Sequence, residues 1–197
     1  TVGGYRVVLE DGSSFFVSTP LYKRLSISEG DRLDPEEISE LASLSYRSHF
    51  DLAREKALEL LARREHTALQ LQQKLYKRDF PREVIADVLG QLKDRNELNE
   101  RRYAEEWLRV RIRRNPLGPT KARATLLEQG VPESLIREVL EEYEAEHPEC
   151  WLEAAERTVR KMPDRGRISR EKAIQRLLRR GFSGPQLEGM DLDALLG

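Results

Sequence analysis

The sequence predicts a mainly α-helical protein built from three tandem three-helix repeats, with a small β-hairpin and helix at its N-terminus. Three observations lead to this fold class. Apolar residues recur at one fixed offset of 51 residues. Glycines and prolines mark the ends of the predicted helices at the same offset. The N-terminal residues have the pattern of β-strands, whereas the pattern of the later repeats is helical.

The N-terminal stretch predicts a β-hairpin. In YRVVLEDGSSFFVS, β-branched and aromatic residues flank Asp11-Gly12, a dipeptide typical of hairpin turns. Because two strands alone are marginally stable, this hairpin must either pack against a neighbouring element or be mobile. A helix is predicted to begin after Asp34, where a proline fits the first turn and Glu37 completes a capping box. Together these elements define an extension over residues 1–50.

Three segments align without a gap when the sequence is shifted by 51 residues, so we interpret residues 51–98, 99–147 and 148–197 as copies of one supersecondary unit. The third copy loses the pattern after Met190, as expected of a terminal, capping repeat. The coinciding apolar positions are Leu75, Leu126 and Leu177; Phe80, Val131 and Phe182; Ile85, Ile136 and Leu187; Val88, Val139 and Met190; Ala53, Ala104 and Ala155; and Ala57, Leu108 and Val159.

Punctuation residues mark the helix ends within each repeat. Gly118-Pro119 is predicted to open a helix, and Gly130 and Gly181 are predicted to end one in a left-handed conformation, where a Cβ would cost energy. The first repeat has Asp79 at the same position, a weaker but tolerated choice. Its own helix start is predicted to be capped by a threonine in the segment HTALQ.

Short helices of this kind cannot bury their apolar stripes alone. Stacked repeats share a core, so the sequence predicts an elongated, curved body with a large concave face. Such faces are typical of binding proteins rather than of enzymes with deep pockets. The predicted class is therefore an interaction protein.

The composition narrows the possible functions. The chain has 197 residues, of which 39% are hydrophobic and 35% charged, with a formal net charge of −1. This composition argues against a membrane protein and against wholesale disorder. A protein that acts mainly by non-specific DNA binding would be basic overall, so a nucleic-acid role must depend on local asymmetry or on a protein partner. The lone Cys150 fits a reducing cytoplasm, and we expect a cytoplasmic monomer.

Patterns typical of catalytic or metal sites are missing from the sequence. The histidines are far apart, and neither a paired-cysteine motif nor a Gly-rich phosphate loop occurs. We therefore predict no catalytic residue, no metal and no cofactor. His66 is expected to be a surface or capping residue. Tyr103 and Trp107 are expected to pack in the core, and Cys150-Trp151 to pack between the second and third repeats.

The basic turn LRVRIRRNPLGP leaves two interpretations open. Arg111, Arg113 and Arg114 have no acidic residue within four positions downstream, which favours a role in binding. Basic residues at a helix C-terminus also complement the helix dipole, which is a purely structural explanation. Aligned at the 51-residue offset, the first and third repeats share a second basic edge. Its members are Lys74, Lys77 and Arg78 in the first repeat and Arg176, Arg179 and Arg180 in the third.

The middle repeat lacks this edge, because Thr125, Glu128 and Gln129 occupy the same positions. Its nearby cations are instead Lys121 and Arg123. In the third repeat, residues 157–180 carry ten basic residues against only two acidic ones. A segmented basic surface of this kind fits a long anionic or acidic partner better than a uniform DNA-binding stripe would.

The middle of the chain resembles the RecX family, regulatory proteins of the RecA recombinase. The resemblance is carried by LNERRYAEEW, then by basic residues, and then by GPTKARATLLEQGV. The Asn-Glu pair stands where the family more often has Asn-Asp or Asp-Asp. The segment GDRLDPEEISEL and the hairpin before it resemble the longer members that carry an extra N-terminal piece, so the resemblance covers roughly residues 5–190.

This resemblance implies three three-helix repeats in a curved body that binds RecA and lodges along the groove of its filament on single-stranded DNA. It also implies a non-enzymatic modulator, here taken as a negative regulator, of filament growth, ATP hydrolysis, strand exchange and the SOS response. The alternative is a helical-repeat protein that binds DNA directly, without RecA. The candidate contact residues are Arg111, Arg113, Arg114, Lys121 and Arg123, with Lys74, Lys77, Arg78, Arg176, Arg179 and Arg180 as flanking candidates.

Overall fold

The computed structural model describes residues 4–25, 27–162 and 168–196. The chain divides into two compact units, Thr1–Asn99 and Glu100–Gly197. Each unit contains its own hydrophobic core. The predicted class is confirmed: the described residues are mainly helical, and their one sheet has two strands.

The described residues of the first unit form the hairpin and four helices. Its elements are β1 (Gly4–Val8), β2 (Ser14–Ser18), α1 (Thr19–Leu25), α2 (Pro35–Leu61), α3 (Ala68–Tyr76) and α4 (Arg82–Asp94). The strands are antiparallel, with Val8 opposite Ser14. Between them, Gly12 adopts φ 83°, and the Asp11 carboxylate accepts the Ser13 amide at 2.8 Å. The predicted hairpin and its turn residues are therefore confirmed.

The long helix α2 serves both the hairpin and the first repeat. Asp34 accepts the amides of Glu36 and Glu37, and the predicted capping box is formed. Near its middle, the Ser45 hydroxyl donates to the carbonyl of Phe16 in β2. Its buried face continues into the core of the repeat, and the helix passes through residues 50 and 51 without interruption. The predicted boundary between the extension and the repeat lies inside this helix.

The second unit contains seven helices among its described residues. They are α5 (Glu100–Arg114), α6 (Pro119–Glu128), α7 (Glu133–Glu146), α8 (Cys150–Arg160), α9 (Arg170–Arg179), α10 (Gly184–Leu187) and α11 (Leu192–Leu196). Residues of the second and third repeats share one core, which includes Leu108, Leu126, Trp151 and Leu177. Tyr103 is buried there and Trp107 packs against it, as predicted. The predicted packing of Cys150 and Trp151 between these repeats is confirmed as well.

The 51-residue register reappears in the backbone. The middle helices of the three repeats begin at Ala68, Pro119 and Arg170, positions that the offset predicts. The chain adopts a positive φ shortly after each middle helix ends. The angle is 65° at Asp79, three residues after α3, and 85° at Gly130 and 86° at Gly181, two residues after α6 and α9. In the third repeat the helix at the register of α4 and α7 is the single turn α10, and the short helix α11 follows it. The predicted punctuation is confirmed.

None of the helices in the described part of the chain combines the length and the apolar character that a membrane span requires.

Candidate binding surface

The basic turn at the end of α5 spreads its arginines over two sides of the helix. Arg111 and Arg114 share one face, because residues three apart lie one turn from each other. The Arg111 guanidinium lies 6.0 Å from the ring centroid of Trp107. On the other side, the positive charges of Arg157 and Arg113 oppose the burial that raises the pKa of Tyr143. All three arginines of the turn are exposed.

After α5 the chain makes a joint between the second and third repeats. The Gly118 amide donates to the carbonyl of Arg180 at 2.9 Å, and the Thr120 amide donates to the carbonyl of Gly181 at 3.3 Å. The N-terminal amides of α6 are thus satisfied by the chain that leaves α9. A Cβ at position 118 would fall on the Gly181 carbonyl, closer than 3.0 Å, so this joint requires glycine there.

Side chains of the third repeat reinforce the joint. Arg180 Nη1 donates to Asn115 Oδ1 at 2.7 Å and to the carbonyl of Pro116 at 3.0 Å. Lys161 Nζ donates to the carbonyl of Arg114 at 3.2 Å. The Lys161 contact satisfies a carbonyl in the last turn of α5, where helices leave acceptors unpaired, and the Arg180 contacts hold the two residues that follow the helix. Two cations of the third repeat therefore stabilise the end of the basic helix in the second.

A cleft of about 350 Å³ opens beside this joint. In this cleft the three candidate arginines of the third repeat, at positions 176, 179 and 180, lie next to residues 115–116, which follow the basic turn of the second repeat. Lys161, which is not among the residues predicted from the sequence, also lines it. The only signal was its place in the basic segment 157–180, since the other repeats have Glu59 and Val110 at that register. The lining residues are Asn115, Pro116, Thr158, Lys161, Met162, Arg176, Arg179 and Arg180.

The two cations predicted on α6 differ in their surroundings. Lys121 has an exposed side chain, but its backbone nitrogen and Cβ lie against Gly181 in the joint. Arg123 contacts Glu133 of α7, with Nε and Nη2 both 2.6 Å from the same carboxylate oxygen. Because the pairing neutralises much of its charge, Arg123 is a weaker binding candidate than Lys121.

The remaining candidates belong to the first unit. Lys77 is exposed, whereas Lys74 is half-buried. Arg78 Nη1 donates to the carbonyl of Lys74 at 2.8 Å and so caps the end of its own helix α3. At the matching position Arg180 reaches the preceding repeat instead. The shared basic edge predicted from the register thus has different contacts in the two repeats.

The buried titratable groups are dispersed. The sequence predicts His66 to be a surface or capping residue, and the surface position is wrong: it is 2% exposed, and its Nδ1 lies 2.9 Å from the carbonyl of Arg64. It occupies the register of buried Leu117 in the second repeat, which explains its burial. Burial lowers the pKa of His66 and of His49 and raises that of the Cys150 thiol to about 11. Among the described residues, no group of three or more His, Cys, Asp or Glu side chains is placed to hold a metal ion.

Comparison with protein families gives matches across the first two repeats. The model of the first three-helix domain of RecX matches residues 53–92, and that of the second three-helix domain matches residues 99–140. Both segments lie within the repeats identified by the 51-residue offset. The helices α5, which carries the basic turn, and α6 therefore belong to the matched part of the chain, whereas the third repeat lies outside these two matches.

Curated proteins named regulatory protein RecX match the chain over most of their length. The one from Halorhodospira halophila is 38% identical over 144 residues, covering 70% of this chain and 84% of that protein. The one from Chlorobaculum tepidum is 35% identical over 130 residues, covering 66% and 80%. The one from Streptococcus sanguinis is 24% identical over 184 residues, covering 92% and 69%.

Solved structures show the same fold. A crystal structure of regulatory protein RecX aligns with a TM-score of 0.64 and 26% identity, covering 94% of this chain and 93% of that one. The crystal structure of RecX from Lactobacillus salivarius aligns with a TM-score of 0.61 and 21% identity, covering 76% and 96%. The first alignment includes nearly all of the chain, so the likeness extends beyond the two matched domains.

Proposed function

The chain belongs to the RecX family of regulatory proteins, and from that premise we propose that it regulates the RecA recombinase. In this proposal it binds RecA and the RecA filament on single-stranded DNA. It reduces filament growth, ATP hydrolysis and strand exchange, and so restrains the SOS response. It acts as a cytoplasmic monomer, by binding rather than by catalysis.

The observation that carries the proposal is the match to regulatory RecX proteins over 80% or more of their own length. The charge distribution supports it. The chain as a whole has a net charge of −1, yet its cations gather at the C-terminal ends of α5, α8 and α9. A protein of this charge has little general attraction for DNA, whereas local basic clusters can contact an anionic filament at separate points.

The proposed contact surface consists of exposed cations near the joint. Arg111 and Arg114 lie on one face of α5, and Lys121 is exposed on α6. Each contact alone contributes little free energy, because exposed ion pairs are screened by solvent and salt. Several contacts made together give a specific complex, since the joint fixes their relative positions within the second unit.

Direct DNA binding is the second candidate function. It is favoured by one observation, the cleft lined by Lys161, Arg179 and Arg180. Its signature is tight binding to DNA without RecA that weakens steeply as salt rises. Binding that is absent at moderate salt would leave the regulation of RecA as the main activity.

The test of the proposed function is a titration of RecA's single-stranded-DNA-dependent ATP hydrolysis with this chain. We expect the rate to fall at substoichiometric amounts, because one bound regulator affects many RecA subunits of a filament. Filament length, measured in parallel by electron microscopy, should shorten. An unchanged rate together with unchanged filament length would overturn the proposal.

A control separates action on RecA from competition for DNA. The same titration is repeated with DNA in large excess over both proteins. Inhibition that persists supports action on the filament, whereas inhibition that disappears indicates that the chain only removes free DNA from RecA.

A further inference from the structure

We propose that the cleft beside the joint of the second and third repeats is a binding site for a phosphate group. Four cationic side chains line it: Lys161, Arg176, Arg179 and Arg180. Among the residues that the structure describes, its lining contains no acidic side chain. This inference goes beyond the regulation of RecA, because it concerns the chemistry of one site in the chain alone. It deepens the second candidate function, direct DNA binding, by naming the chemical group that the cleft would take.

The cleft remains cationic after the helix dipoles are taken into account. The helices α5, α8 and α9 all end beside it, at Arg114, Arg160 and Arg179. Each C-terminus is equivalent to about −0.5 of a charge, so the three contribute about −1.5 against the three formal positive charges of Lys161, Arg179 and Arg180. A surplus of about +1.5 remains. Stabilising helix ends therefore accounts for only part of the charge gathered here.

The joint holds two of these cations in place and leaves donors for a ligand. Lys161 directs one of its three N–H groups to the Arg114 carbonyl. Arg180 makes both of its contacts, to Asn115 and Pro116, through Nη1. Within the described part of the chain, its Nη2 and Nε are thus left for an incoming group. Because these side chains are already positioned, a ligand does not have to order them.

Donor geometry and size favour phosphate over a carboxylate. A guanidinium presents a planar fork that matches phosphate oxygens, and a lysine adds a point charge. One fork is enough for a carboxylate, whereas this lining has three guanidinium groups and one ammonium group. The volume of about 350 Å³ lies at the lower end of the range of roughly 300–1,000 Å³ for small-ligand clefts. It accommodates a phosphate group together with part of the molecule that carries it.

The phosphate can come from two sources, a phosphodiester of a nucleic-acid backbone or a free phosphate compound. Either would contact the α8 end and the α9 end at once, through Lys161 and Arg179. Since binding to the folded form alone stabilises it, an occupied cleft should stabilise the third repeat.

The experiment uses the full chain without RecA and two substitutions in the cleft. Arg179→Gln removes an exposed guanidinium whose described contact, at 3.4 Å, is to a carbonyl of its own helix. Lys161→Gln removes the ammonium group. The matched control is Arg137→Gln, which removes one exposed positive charge from α7, outside the lining. Circular dichroism verifies that each variant is folded, and the probes are fluorescein-labelled oligothymidylate, inorganic pyrophosphate and an oligoglutamate peptide.

We expect Arg179→Gln to weaken binding of the occupying phosphate probe about tenfold, and Arg137→Gln to leave it within about twofold. For the oligonucleotide, the slope of log affinity against log salt should become less negative by roughly one. Competition by pyrophosphate, together with binding of the oligonucleotide, assigns the source to nucleic acid. If pyrophosphate raises the thermal stability of the chain and the oligonucleotide does not bind, the source of the phosphate group is a free phosphate compound.

Two results would overturn the proposal. One is equal binding of both phosphate probes by the cleft variants, the control and the unsubstituted chain. The other is stronger competition by oligoglutamate than by pyrophosphate, which would indicate a site for an acidic protein segment. Because RecA is absent, either result leaves the proposed regulation of RecA standing. Conversely, a failed ATPase titration leaves the phosphate site untouched.

Discussion

The same repeat position has different chemistry in the two units. At the start of α3 in the first unit, the Thr67 hydroxyl accepts the amide of Gln70 at 3.2 Å and caps its own helix. At the start of α6 in the second unit stands Gly118, and backbone carbonyls of the third repeat accept the amides of Gly118 and Thr120. One helix start is satisfied locally, and the other is satisfied by a neighbouring repeat.

The difference shows how a repeat is adapted to become a joint. Loss of the capping side chain at position 118 removes a local hydrogen bond. It also lets the chain after α9 approach closely, so that Arg180 and Lys161 reach the end of α5. The cationic cleft forms at this approach. The cationic cleft therefore depends on the contact between the repeats, which brings the basic residues together, as well as on the charges of those residues.

The largest expected effect on stability comes from a substitution that prevents the close contact between positions 118 and 181. In Gly118→Ala, the added Cβ would overlap the Gly181 carbonyl, so we expect the second unit to lose about 3 kcal/mol of unfolding free energy. Urea unfolding followed by tryptophan fluorescence measures it, because both tryptophans, Trp107 and Trp151, lie in this unit.

Gly90→Ala is the matched control, since nothing lies within 4 Å of a Cβ at that position in α4. It should leave the fluorescence transition unchanged and stabilise the first unit by up to about 1 kcal/mol. A Gly118→Ala chain as stable as the unsubstituted one would show that the joint is more open than described.

An intermediate effect is expected from the buried histidine of the first unit. Burial lowers the pKa of His66 below its usual value of about 6.5, so the unfolded chain binds a proton first as pH falls. Stability is therefore lost progressively as pH falls below about 6.5. In His66→Leu, which introduces the residue type of the matching Leu117, we expect a smaller loss between pH 7.5 and pH 5.5. The change in unfolding free energy at pH 7.5 should stay within about 1 kcal/mol.

Urea unfolding followed by circular dichroism at the two pH values measures this difference. Tryptophan fluorescence in the same samples reports the second unit and should respond equally in both proteins. An identical pH dependence of the circular dichroism transition would contradict the assignment of the acid sensitivity to His66. His49, also buried and with its pKa lowered by burial, should account for the sensitivity that remains.

The smallest expected effect on stability concerns the residue that follows the middle helix of a repeat, which is aspartate in the first unit and glycine in the second. Asp79 has φ 65°, where the second unit has glycines with φ 85° and 86°. Since a left-handed conformation costs a residue with a Cβ roughly 1 kcal/mol, Asp79→Gly should stabilise the first unit by about 0.5–1 kcal/mol. Asp51→Gly, at an exposed position in the interior of helix α2, serves as the control and should be destabilising by up to about 1 kcal/mol. A loss of stability in Asp79→Gly would mean that the carboxylate contributes more than the strain costs.

Much of the fold could be predicted because the residues that begin and end the helices recur at the same position in each repeat. Asp79, Gly130 and Gly181 mark three helix ends, and the offset that aligns them also aligns the cores. The burial of His66 does not follow from its place just before a helix cap, which favours a surface or capping residue. Its alignment with Leu117 was the available signal.

The joint and its cleft could not be predicted in the same way. Gly118 was interpreted as a helix opener, which is correct, but its closeness to Gly181 depends on how two repeats pack. Lys161 has no basic counterpart in the other repeats, so the register gave no reason to select it. Arg123 was selected for its charge, and its pairing with Glu133 across two helices is visible only in the structure.

The most direct test of the central claim is binding of this chain to preformed RecA filaments on single-stranded DNA, measured by fluorescence anisotropy. Three proteins are compared: the unsubstituted chain, a variant with Arg111→Glu, Arg113→Glu and Arg114→Glu, and the control Arg137→Glu. We expect tight binding by the unsubstituted chain and the control. The triple variant should remain folded by circular dichroism and bind at least about tenfold more weakly. Equal binding by all three would mean that these arginines only complement the helix dipole, and no binding by any would contradict the proposed regulation of RecA.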